Sequence, residues 1–284
     1  MDIPSGGHIK LMGPTGAPLG SANLLLEYLG IDEPCEIDIE TIAQVCGATV
    51  VYDRLEGCEA RLIGYEGRAV ITVDQNAPRA RQRFSAAHEL GHWVHDRGKV
   101  AFACAEGQFV GEWGQANPER RANRFAADLL LPRKLFKKGS RLKPISFATV
   151  RKLSRDFDTS LTATTIRLVE LGSYPSLAIC YDRTGKRHWS ARSSLVPLPL
   201  QPRACILLRE TQAERLFGGA RPSGPVETRG DRFLDHPQAH AYTVLEDSLA
   251  ISSELMLSIL WFHDERPIEA ALQEMDRGDL SYLS

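Results

Sequence analysis

The chain has 284 residues, a formal net charge of −2, 43% hydrophobic and 25% charged residues. That balance describes a soluble globular protein with room for two modest domains, and no run approaches the roughly 18 apolar residues that crossing a bilayer requires. Cys35, Cys46, Cys58, Cys104, Cys180 and Cys205 are scattered without pairing logic, and the N-terminus lacks the apolar core of a signal peptide, so reduced thiols and a cytoplasmic location are expected.

Residues 1–20 are rich in Gly and Pro and read as a flexible arm. Ser21–Gly30 and Asp38–Cys46 read as short helices. Ala48–Asp53, Ala60–Tyr65 and Arg68–Val73 are alternating or β-branched enough to be strands, the last two joined through Glu66-Gly67 as a tight hairpin. A longer helix follows, with Asn76 as its expected N-cap, Pro78 in its first turn and Gly98 past its end.

This helix contains His88-Glu89-Leu90-Gly91-His92, the pattern H-E-x-x-H. Residues four apart share a helix face, so two imidazoles one turn apart can hold one Zn²⁺, with Glu89 beside them to take a proton from water. The same pattern also arises when two histidines merely hydrogen-bond on a half-buried helix. Gly91, a poor helix former, favours the metal, because a glycine there is explained by close approach of another backbone. His95 is excluded as the third ligand: seven residues from His88 is roughly 10 Å along the axis, against zinc–nitrogen bonds of about 2 Å.

Asn117–Pro132 reads as another helix, with Asn117 as N-cap, Pro118 at N1 and Pro132 ending it. Glu119 shares a stripe with Ala122, Phe125, Ala126, Leu129 and Leu130. A carboxylate on an apolar stripe can serve the helix dipole or find a cation; here it supplies the ligand the site lacks. Cys104, between the two metal helices, could be an ordinary small apolar residue or a thiolate in the fourth zinc position that silences the site.

Two runs, Arg83–Trp93 (R-F-S-A-A-H-E-L-G-H-W) and Glu119–Pro132 (E-x-x-A-N-x-F-A-A-x-L-L-x-P), together resemble the ImmA/IrrE family of bacterial zinc metallopeptidases. The resemblance implies His88, His92 and Glu119 as zinc ligands and Glu89 as general base. It implies an α+β fold with a thermolysin-like core of a small sheet and the H-E-x-x-H helix, here residues 21–143. It also implies cleavage of a helix-turn-helix repressor that controls a DNA-damage, mobile-element or anti-phage defence operon.

From Glu119 to Arg155 only Glu119 and Asp128 oppose a run of cations that includes Arg133, Lys134, Lys137, Lys138, Arg141, Lys143, Arg151 and Lys152. Such a segment is a solvated surface or a polyanion contact. Single-stranded DNA as an activating signal fits it, with Trp113, Phe136 and Phe147 as candidate stacking residues. Residues 144–173 read as two helices broken at Asp158-Thr159-Ser160, either helix-turn-helix-like or packed as core, with Arg167 the one strong base reader.

Residues 174–284 read as a second α+β domain. A hairpin is expected from Leu177–Tyr181 and Arg187–Ala191, a bend at Pro197, Pro199 and Pro202, strands at Ala204–Arg209 and Tyr242–Glu246, and a final helix at Leu249–Phe262. Analogy with relatives makes this domain GAF-like, a sensor fold. Two rival functions remain: a DNA-binding transcriptional regulator with a structural zinc, and a general cytoplasmic metalloprotease.

Overall fold

The computed structural model describes residues 20–95, 102–105 and 117–269, with Phe102–Ala105 described by backbone alone. The chain is α+β. It divides into two compact units: Met1–Leu135 with Arg155–Ser160, and Phe136–Ser154 with Leu161–Ser284. No helix among the described residues is long and apolar enough to cross a membrane.

In the first unit, α1 (Ala22–Tyr28) is capped by Ser21 and α2 (Ile39–Val45) by Asp38, whose carboxylate accepts the Thr41 N–H at 2.7 Å. Strands β1 (Ala48–Asp53), β2 (Cys58–Tyr65) and β3 (Arg68–Asp74) follow. Glu66 and Gly67 carry φ of 47° and 80°, the two left-handed residues that a tight two-residue hairpin needs. Period-two alternation buries Ala60, Leu62, Ala69, Ile71 and Val73 beneath α3 (Arg79–His95) and leaves Ile63 and Val70 on the outer face. With β4 (Phe102–Ala105) the sheet order is β1-β3-β2-β4; β1 runs parallel to β3 and the other pairs are antiparallel.

Asn76 does not cap α3. Its backbone and side-chain N–H groups both donate to the Asp74 carboxylate, closing the turn out of β3, and the helix begins after Pro78, whose carbonyl accepts from Arg81 and Gln82. Residues 1–19, Gly98 and Trp113 lie outside the described residues.

Next come α4 (Pro118–Leu130) and α5 (Arg133–Ser140). Pro132 both ends α4 and precedes α5, a helix that the sequence pattern does not separate from the basic run. α6 (Phe147–Phe157) and α7 (Leu161–Leu171) flank Asp158, which has a φ of 51°. α7 packs on β5 (Ser176–Asp182) and β6 (Arg187–Arg192), with Thr164, Thr165, Leu168 and Val169 buried. The Arg167 side chain is only 12% exposed and reaches Glu170. Arg167 is therefore spent inside the fold and is not displayed for reading bases.

The second unit then adds β7 (Gln201–Pro202), α8 (Gln212–Phe217), β8 (Val226–Arg229), β9 (Leu234–Asp235), β10 (Thr243–Ala250) and β11 (Leu255–Trp261). Its main sheet runs β6-β5-β11-β10-β8, antiparallel throughout; β7 and β9 form a small separate pair. The bend at Pro197 is held by Arg192, whose guanidinium donates to the carbonyls of Val196, Pro197 and Leu198.

Two expectations fail here. Leu249–Phe262 is not a helix but the β10–β11 hairpin. Residues Met256–Leu260 are buried on both faces, and a strand covered on both sides reads as a continuous apolar run without alternation. Ala204–Arg209 is not a strand either: it makes one isolated antiparallel bridge, Cys205 opposite Lys186, and the Leu207 N–H then turns away to the Arg232 carbonyl.

One polar knot lies within this unit's core. The fully buried Glu246 carboxylate accepts the N–H groups of Gln212 (2.8 Å) and Ala213 (3.0 Å) and the hydroxyls of Thr228 (2.9 Å) and Ser248 (2.8 Å). Ser248 continues through Ser258 to Tyr181.

Candidate metal centre

α3 and α4 pack together, and Gly91 sets how closely. A Cβ at Gly91 would stand 2.9 Å from the Ala122 Cα and 3.2 Å from both the Ala122 carbonyl oxygen and the Phe125 Cβ. No side chain fits. This is the backbone approach that a glycine in H-E-L-G-H suggests. It lays the first turn of α4 across the two histidines, and the Asn117 side chain fixes that turn by accepting the Glu119 N–H at 2.9 Å.

The result is a three-donor cluster. His88 Nε2 lies 3.1 Å from His92 Nε2 and 3.2 Å from Glu119 Oε2; His92 Nε2 lies 3.3 Å from Glu119 Oε1. These three residues form a group able to hold a metal ion. Bonds of about 2.05 Å to a tetrahedral Zn²⁺ would put neighbouring donors about 3.3 Å apart, so the spacing fits with little adjustment. The histidines are buried, whereas the Glu119 side chain is 33% exposed, so the cluster meets solvent on the α4 side.

Protonation also suits a metal. Burial pushes the His88 imidazole below its usual range, and neighbouring His92 adds to this, against opposing pulls from Glu119 and Asn123. A neutral ring is the ligand form. Its Nδ1–H donates to Asn123 Oδ1 at 3.0 Å, which leaves the Nε2 lone pair facing the cluster.

Behind the ligands, the sheet holds α3 in place. Trp93, next to His92, donates its indole N–H to the Cys46 carbonyl at 2.9 Å. Its ring lies against Gly64 of β2, where a Cβ would come within 2.6 Å of Trp93 Cζ3. Arg83 donates to the Ile37 carbonyl and approaches Asp158, which also holds Arg79.

Glu89 is fully buried. His95 stacks edge-on against Phe125 and is not part of the ligand group. Cys104 falls on β4, with its backbone opposite Ala60 of β2; its side chain lies outside what is described. Phe136 and Phe147 are buried core residues and cannot stack on bases. Of the basic run, Arg133, Lys134, Lys137, Lys138, Arg141, Arg151 and Lys152 are exposed and Lys143 is half-buried. Sequence reasoning missed Asn123. Its signal was present: it lies one turn beyond Glu119, the spacing that separates His88 from His92.

Residues 43–169 match the family model of the IrrE N-terminal-like domain, Peptidase_M78. The resemblance carried by the two motifs thus holds over a segment that contains α3, α4 and the whole ligand group. A solved structure of a Mycobacterium tuberculosis transcriptional regulator is similar at 14% identity over 84% of this chain and 73% of its own, with a TM-score of 0.54. At that identity the likeness is one of fold. No curated protein matches the chain.

Proposed function

We propose that this chain is a zinc-dependent endopeptidase that cuts a helix-turn-helix transcriptional repressor and so induces a DNA-damage, mobile-element or defence operon. The observation that carries the reading is the convergence of His88, His92 and Glu119, on two helices, beside a buried Glu89. Two imidazoles and a carboxylate suit zinc, and three protein ligands leave a position for water. The bound metal would lower the pKa of that water and polarise the scissile carbonyl. Glu89 takes the proton and passes it to the leaving amine. Asn123 keeps His88 in its ligating tautomer.

The small sheet against α3 supports a thermolysin-like core, with residues 21–143 as the peptidase domain and 144–173 as a helix-turn-helix-like segment. Residues 174–284 are read as a GAF-like sensor. The exposed cations of the basic run support a nucleic acid, such as single-stranded DNA, as activator. Cys104 is read as an inhibitory fourth ligand, on a strand paired to the sheet that packs on α3; Cys104→Ser then raises basal activity. A cytoplasmic location completes the reading.

A DNA-binding regulator with a structural zinc is the second reading, favoured by the fold likeness to a Mycobacterium tuberculosis protein described as a transcriptional regulator. A structural site has no use for a buried acid next to its ligands. Co-expression with a candidate repressor decides between them. Glu89→Gln should retain zinc and abolish cleavage, whereas cleavage that persists in this variant removes the peptidase assignment. Digestion of casein would point instead to a general protease.

A further inference from the structure

Lys134, Lys137, Lys138 and Arg141 recur at three- and four-residue spacing, so they share one side of α5 and its exit, and all four are exposed. The opposite side, Leu135, Phe136 and Ser140, is buried. Immediately after this stripe comes Leu142, 67% exposed and with φ of 54°. A leucine in the left-handed region is sterically disfavoured, and glycine would sit there without penalty. Its N–H donates to Ser173 Oγ and the Lys143 N–H to the Ser140 carbonyl, so the turn is fixed by backbone bonds that any residue could make. The chain thus holds an apolar side chain out to solvent, in a strained conformation, between Arg141 and Lys143. Strain of this kind collects at sites of function.

We propose that Lys137, Lys138, Arg141 and Lys143 bind the phosphates of a nucleic acid and that Leu142 inserts against the faces of its bases. This deepens the activator part of the function proposed above and rests on it. Cations in a row along one helix side match a polyanion backbone, and an apolar tip beside them matches the one part of a nucleic acid that is not charged. A membrane surface fits less well. An interfacial helix must offer a whole apolar face, and the apolar face of α5 is already buried in the protein.

The test uses the full chain, a fluorescein-labelled single-stranded oligonucleotide and anisotropy across a salt series. Lys137→Glu with Arg141→Glu should weaken binding and flatten the salt dependence, by about 0.7 in log–log slope for each phosphate no longer neutralised. Leu142→Gly should weaken binding about tenfold with the slope unchanged. Its melting temperature should be equal or higher, because glycine suits the turn. On an abasic oligonucleotide, wild type and Leu142→Gly should bind alike. Wild-type affinity in Leu142→Gly, or an equal weakening on abasic strands, overturns the role of Leu142. Leu142-dependent binding to phosphatidylglycerol vesicles without binding to the oligonucleotide transfers the surface to a membrane. Wild type that fails to bind the oligonucleotide while repressor cleavage persists removes this proposal and leaves the peptidase; binding without cleavage does the reverse.

Discussion

His88 and Asn123 are joined across two helices by a 3.0 Å hydrogen bond from the imidazole Nδ1–H to the amide oxygen. Since Glu119 and Asn123 lie one turn apart on α4, the same helix face carries one candidate ligand and the hydrogen-bond partner of another. Asn123→Leu removes the acceptor and should weaken metal binding about 10- to 100-fold. Asn123→Asp keeps an acceptor and should retain most of the affinity. Competition with a chromogenic chelator measures both, and unchanged affinity in the leucine variant would show that the bond orients nothing.

Gly91→Ala should be costly at a position where alanine ordinarily favours helix. The new Cβ meets Ala122 backbone at 2.9 Å, so α3 and α4 must separate. Overpacking of this kind costs about 1–3 kcal/mol, and Glu119 moves with α4. Urea denaturation and zinc titration should both show the effect. A variant that loses stability but binds zinc as wild type does would mean that Glu119 is not placed by this close approach.

Asp247 gives a pH prediction in the second unit. Burial raises its carboxyl above the usual range, although the Phe147 N–H, donating at 2.7 Å, pulls the other way. With the folded-state pKa above the unfolded one, the folded state binds the proton more readily. This group therefore weakens the fold at neutral pH, and its penalty is relieved as pH falls through the raised pKa. Asp247→Asn keeps an oxygen for Phe147 and carries no charge. It should raise the melting temperature at neutral pH and lose that advantage in acid; an advantage that does not change with pH would argue against the ionised carboxylate as its source.

Much of the first unit was legible because local chemistry and burial agree there. β2 and β3 alternate with one face under α3, and α4 carries its own start and stop in Asn117, Pro118 and Pro132. That His88, His92 and Glu119 could meet was legible for the same reason, since both segments that carry them are regular helices. Asn123 was not, because the oxygen it offers finds its use on another helix. α5 hid in its own charge: Leu135 and Phe136 are too few to mark a periodic face. In the second unit the strand expected at Tyr242–Glu246 coincides with the first half of β10, whereas β11 misled, because it is covered on both sides and loses the period that marks a strand.

The Glu246 knot has a consequence for the order in which the second unit can assemble. Its donors come from α8, β8 and β10, and its extension through Ser248 and Ser258 ends on Tyr181 of β5. Until all of these segments arrive, desolvating the carboxylate is unfavourable and the β10–β11 hairpin has reason to stay in water. Segments from Tyr181 to Ser258 must therefore close on it together. A chain growing from its N-terminus would carry this unit open until β11 has been made.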